Sequence, residues 1–227
     1  MKNLICMTLV ALMGVVAVNN VNAQDSVNVR CEAVKISGNV MFKSMSNSTL
    51  TGGFFSQNPA VSATITASYR DVAFTFSRNC DLFDPTTGAN VFAFLPSYTK
   101  TWGKWSLNTT IEVYFFDQVK DLHLIAPEIT IARKGVVDVD LFVCYARTFT
   151  SKQDIYIVRP TVSKSYQGFT FRAYAWYVNW GIDKVSFAGE ISKEIVPKLR
   201  MSVFGHLNNV NLSDDEFFGA VRVGYSF

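Results

Sequence analysis

Charged residues are scarce in this chain. Lys and Arg together number 21 and Asp and Glu 18 among 227 residues, a formal net charge of +3. A balance this close to neutral gives no basic footprint of the kind nucleic-acid binding requires. Histidine is rarer still, confined to His123 and His206. No close Cys/His pairing marks a zinc site, so no metal and no cofactor is expected. Cys6 falls in the N-terminal apolar run, which leaves Cys31, Cys80 and Cys144. Three widely spaced cysteines exclude a disulfide scaffold and fit isolated thiols with at most one bridge. Helical periodicity, internal repeats and low-complexity linkers are also missing, so nothing marks a domain boundary.

The one long apolar run is at the start. Lys2 precedes "LICMTLVALMGVVAV", Leu4 to Val18, and polar "NNVN" and small Ala23 follow. That run falls short of the roughly 20 residues of a spanning helix. Its layout is that of a secretory signal peptide with a small-residue cleavage site. Residues 1–23 are therefore expected to be a leader, and 24–227 a single domain.

From Val34 onward the dominant pattern has a period of two. "AVSATITASY" sets Val61, Ala63, Ile65, Ala67 and Tyr69 against Ser62, Thr64, Thr66 and Ser68. "WSLNTTIEVYF" and "VVDVDLFV" alternate in the same way. Such segments are strands with one apolar and one polar face. The pattern predicts about twelve strands, with ten as the alternative. They fall near 34–44, 60–70, 71–79, 90–99, 104–116, 122–132, 136–147, 155–164, 168–178, 184–194, 199–208 and 217–227. Most reach the roughly 9–11 residues with which a tilted strand crosses a bilayer.

The connections sort by parity. Short turns such as "YRDV", "ARKG", "SYQG" and "VPK" follow even-numbered strands. The longer connections, among them "SMSNSTLTGGFFSQNP" and "RNCDLFDPTTGA", follow odd-numbered ones. Short turns on one rim and long loops on the other are the pattern of a transmembrane barrel. The short-turn rim carries Arg70, Lys100, Lys104, Arg133, Lys134, Lys164 and Lys198. The long-loop rim carries Asp81, Asp84, Asp117, Asp121, Asp154, Asp183, Asp214, Asp215 and Glu216, expected to be ordinary solvated loop charges.

In such a barrel the apolar face looks outward and the polar face into the lumen. A soluble barrel would reverse the assignment without changing the alternation. Three features favour the membrane form. Phe42, Phe74, Phe76, Phe92, Phe94, Phe115, Phe169, Phe171, Phe187 and Phe217 load the apolar face. Tyr69, Tyr98, Trp102, Trp105, Tyr145, Tyr177, Trp180 and Tyr225 fall mainly near strand ends, where interfacial aromatics sit. The polar face is rich in Ser, Thr, Gly and Ala rather than Lys and Glu. Parity then sends Lys35, Lys43, Glu112, Glu128, Asp138, Asp140, Arg159, Arg172, Glu190, Arg200 and Arg222 into the lumen as candidate pore-lining residues.

The final run "AVRVGYSF" alternates in the same way and ends on Phe227. With the leader, the dyad repeat and the rim asymmetry, it resembles the small bacterial outer-membrane β-barrel proteins of the porin-like class. The resemblance implies an all-β, single antiparallel up-and-down transmembrane barrel in a Gram-negative outer membrane. It implies lipid and lipopolysaccharide as surroundings, and Val221, Val223, Tyr225 and Phe227 as the signal read by the barrel-assembly machinery. The function expected is a narrow channel or small-solute transporter with a charged lumen. One alternative is a closed structural or interaction barrel presenting its long loops. A second is a lipid-acting hydrolase or acyltransferase near His206, using Ser213, Asp214 or Asp215. "GHLNN" matches no motif of such enzymes, so no catalytic set is expected.

Overall fold

The computed structural model describes residues 33–47, 54–84, 86–87, 89–181, 183–207 and 217–227. The expected leader, Cys31 and the acidic loop Ser213 to Glu216 lie outside the described residues. Twelve strands form one closed sheet. They are β1 Lys35–Lys43, β2 Ala60–Tyr69, β3 Val72–Asp81, β4 Val91–Trp102, β5 Trp105–Phe116 and β6 Leu124–Arg133. The second half comprises β7 Asp138–Thr148, β8 Asp154–Tyr166, β9 Phe169–Asn179, β10 Asp183–Val196, β11 Leu199–Leu207 and β12 Phe217–Ser226. Each strand pairs antiparallel with its sequence neighbour, and β1 closes on β12. The count is twelve, not ten. Within the first long loop, Ser46–Asn47 and Phe54–Ser56 form a short ribbon that the alternation does not announce.

Closure removes every sheet edge, which otherwise exposes unpaired backbone groups. At the seam, Asn39 to Lys43 pair with Ser226 to Arg222. Gly38 and Phe227 then exchange two backbone hydrogen bonds, N–H of Gly38 to O of Phe227 at 3.1 Å and N–H of Phe227 to O of Gly38 at 3.0 Å. Five tight turns cluster at one rim. Four of them use left-handed backbone, at Arg70, Gly103, Gln167 with Gly168, and Lys198, the conformation that two-residue hairpin turns need to match strand twist.

Side chains alternate as the period of two requires. Phe74, Phe76, Ile129, Ile131, Phe171, Ile191, Val203 and Val221 are exposed on the outer wall. Phe74, Phe76, Phe92, Phe94 and Phe115 lie against one another there, with neighbouring ring centroids 5.1–6.5 Å apart. The core sits inside the barrel. Toward the loop rim, Phe142, Ile155, Ile157, Trp176, Val178, Phe204 and Phe218 all point inward and pack into one apolar cluster. This corrects the expectation of a polar inner face. It holds for the turn half, while the loop half is filled by aliphatic and aromatic side chains. Trp180 joins this cluster from the loop side instead of the outer aromatic belt, its Nε1 donating to Gln153 Oε1 at 2.8 Å.

Candidate functional site

The candidate site is the belt of charge beneath the apolar layer. Its cations and carboxylates segregate by strand. Glu112 on β5, Glu128 on β6 and Asp140 on β7 form an acidic side. Arg159 on β8, Arg172 on β9, Arg222 on β12 and Lys43 on β1 form a basic side, with Glu190 on β10 among them. Each occupies the inward parity of its strand, so backbone pairing alone fixes its direction.

The tightest group surrounds Glu190. Its Oε2 accepts from the Tyr174 hydroxyl at 3.0 Å and lies 3.9 Å from both Arg172 Nη1 and Arg222 Nη1. Arg172 Nη1 also donates to the Tyr174 hydroxyl at 3.3 Å. One carboxylate thus bridges two guanidiniums, and a charge in a low-dielectric interior requires that kind of pairing. Arg222 in turn lies over the Phe204 ring, 4.2 Å from its centroid. Arg159 lies over Phe142 at 4.4 Å and Trp176 at 5.4 Å. Both guanidiniums therefore rest on the underside of the apolar layer, where ring faces attract them.

On the acidic side, Glu112 is buried and accepts from the Tyr114 hydroxyl at 2.6 Å. Glu128 is half-buried and pairs in register with Thr110 and Cys144. Lys43 is only 5% exposed and donates to Asn79 Oδ1 at 3.3 Å. Asn79 in turn donates to the carbonyl of Ala89, which ties the second long loop over this corner of the lumen. That loop turns on Asp81, whose Oδ1 accepts from the backbone N–H of Phe83 at 2.9 Å and of Asp84 at 2.8 Å. Asp81 is thus a buried structural residue and not a solvated loop charge.

Lys35, Asp138 and Arg200 also have inward parity, but they are exposed at the turn-side mouth, away from the belt. Asp138 there accepts from the N–H of Gly135 at 2.9 Å. Sequence reasoning missed Tyr174, Trp176, Phe142 and Phe204, which hold the arginines. Their inward parity was legible; their partners, on other strands, were not.

The histidines separate. His206 is buried in the apolar layer, stacked on Trp176 with centroids 5.0 Å apart and edge-on to Phe204. Its expected partners Ser213, Asp214 and Asp215 lie outside the described residues. His123 Nδ1 accepts from the N–H of Phe116 at 3.0 Å, a structural role. Cys144 is a free, buried thiol and Cys80 is disulfide-bonded, in keeping with a single bridge at most. Among the described residues, no group of three or more His, Cys, Asp or Glu side chains is placed to hold a metal ion.

No family model matches the chain and no curated protein matches it. Solved structures do. The NanC porin superposes with a TM-score of 0.60 at 10% identity, over 85% of this chain and 99% of that one. The KdgM porin gives 0.61 at 9% identity, over 84% and 98%. An outer-membrane channel from Pseudomonas putida F1 gives 0.51 at 11%, over 90% and 100%. At such identities the likeness is one of fold. The chain is a closed, twelve-stranded, all-antiparallel β-barrel of the porin type.

Proposed function

We propose that the protein is an integral barrel of the bacterial outer membrane and a narrow channel for small charged solutes. The membrane setting is supported by the outer wall, which exposes apolar side chains around its whole circumference. Soluble monomers rarely expose contiguous apolar surface beyond a few hundred Å². A closed sheet with no edge is also the form of strand that hydrocarbon tolerates, since its backbone polar groups pair between strands. The short turns, the start of β1 and Phe227 then face the periplasm, and the opposite rim the exterior. In this setting Val221, Val223, Tyr225 and Phe227 are the outward residues that the assembly machinery would read.

One observation carries the channel reading: the acidic side chains on β5–β7 are flanked by Arg159 and Arg172 on β8 and β9, and Arg222 on β12 stands opposite them in the ring of strands. Opposed charges set up a transverse field that orients dipolar and charged solutes and disfavours apolar ones. The apolar layer above them limits flux, because a hydrophobic constriction holds water poorly. A second reading, a closed structural barrel, rests on the burial of Ile155, Ile157 and Val178, each 0% exposed.

Swelling of proteoliposomes separates the two. Vesicles containing the protein should swell in isotonic solutions of small amino acids faster than protein-free vesicles. Swelling no faster than the protein-free control with every solute would reject the channel and leave the closed barrel.

A further inference from the structure

The two rims of the outer wall carry the same device with opposite sign. At the loop rim, outward tyrosines are tied to carboxylates. The Tyr145 hydroxyl donates to Asp154 Oδ1 at 2.7 Å and the Tyr177 hydroxyl to Asp183 Oδ1 at 2.7 Å. At the turn rim, outward rings are covered by cations. Arg70 lies 5.3 Å from the centroid of Tyr69, Arg133 5.8 Å from that of Trp105, and Lys193 Nζ 4.5 Å from that of Phe169. Lys164 is exposed on the same face, in register with Phe171, and Lys100 pairs with Asp71 at 3.4 Å.

These five cations are spaced around the barrel. Each belongs to a different turn or to a strand leading into or out of one: β2–β3, β4–β5, β6–β7, β8–β9 and β10–β11. Among the described residues, no carboxylate lies within ion-pair distance of Arg133, Lys164 or Lys193. Arg133 and Lys193 lie over rings at the turn end of the wall, and Lys164 is exposed beside them, where the boundary between hydrocarbon and headgroups falls in such barrels. Ring contact attracts these cations without neutralising their charge.

We propose that the turn-side rim is a collar that binds the phosphates of anionic phospholipids in the leaflet it contacts. The inference rests on the membrane reading above. Charge complementarity selects the occupant: a zwitterionic headgroup presents its own ammonium to the collar, whereas phosphatidylglycerol presents net negative charge. Each basic side chain near an anionic lipid surface strengthens association, and screening by salt removes the effect within a Debye length. The collar would thereby fix the vertical position of the barrel and the leaflet in which its turn rim lies.

The test is electron spin resonance of chain-labelled lipids around the protein refolded into vesicles, with folding checked by heat-modifiable gel mobility. Phosphatidylglycerol should be enriched over phosphatidylcholine in the motionally restricted shell by roughly two- to five-fold, and about 1 M salt should abolish the enrichment. The variant R70Q/K100Q/R133Q/K164Q/K193Q should show no preference, and R133Q/K193Q, a milder change if the first does not fold, should show a reduced one. The loop-rim control R78Q/R147Q should keep the wild-type value. A folded, inserted wild type without preference, or a five-fold variant that retains it, overturns the collar alone. Failure to insert into either lipid overturns the membrane reading and the collar with it.

Discussion

At the scale of single residues, two aromatic–glycine contacts fit the last strand to its neighbours on either side. Phe227 lies against Gly38, and Phe217 against Gly205. A Cβ added at Gly38 would strike the Phe227 ring and come within 2.8 Å of the Thr64 carbonyl oxygen, a backbone atom that cannot swing away. Gly38 is thus required by close approach at the seam. Gly38→Ala should destabilise the folded barrel by about 1–3 kcal/mol, the cost of overpacking a fitted site. The shift should appear as a lower urea midpoint with folding followed by gel mobility. Gly103→Ala is a useful comparison. Its added Cβ meets nothing within 4 Å, and the penalty there comes from the backbone angle alone. An unchanged midpoint in Gly38→Ala would mean the seam has more room than the contact implies.

At the scale of elements, three prolines interrupt the wall. Pro96, Pro127 and Pro160 lie inside β4, β6 and β8 and point outward. Proline has no N–H to give to a ladder. Pairing accordingly passes from Phe94↔Val113 to Ser97↔Thr110, from Ile125↔Arg147 to Glu128↔Cys144, and from Val158↔Tyr177 to Thr161↔Tyr174. Each gap opens toward the following strand. At the first gap the group that loses its ladder partner is the Ile111 carbonyl, which faces the Pro96 nitrogen, whereas the Ile111 N–H faces the Pro96 carbonyl. In hydrogen exchange the Ile111 amide should therefore be protected about as well as those of Thr109 and Val113, and faster exchange at Ile111 alone would show the whole rung to be open. The strands themselves were legible because a period of two runs along most of them. Their ends were legible because Gly, Pro and charged residues cluster at the turn rim. The ribbon near Ser46 and the Asp81 turn were not, since both depend on short hydrogen bonds between residues that carry no periodic signal. The apolar layer was hidden for a different reason. In β8, Ile155 and Ile157 occupy the inward parity beside outward Tyr156 and Val158, so both faces are apolar there and alternation has no contrast.

At the scale of the whole molecule, the barrel is layered along its axis. A small-residue polar mouth at the turns leads to the charged belt, and a packed apolar layer narrows the loop side. The belt is asymmetric around the axis as well, with the carboxylates of β5–β7 on one side and Arg222 of β12 opposite them in the ring of strands. The most direct test of the proposed channel is its ion selectivity in planar bilayers. The pure protein should give discrete conductance steps. In a salt gradient, Arg172→Ala combined with Arg222→Ala should move the reversal potential toward cation selectivity, because Glu112, Glu128 and Asp140 are then opposed by fewer cations. Absence of steps in wild type, or a reversal potential that the double substitution leaves unmoved, would contradict a channel governed by this belt.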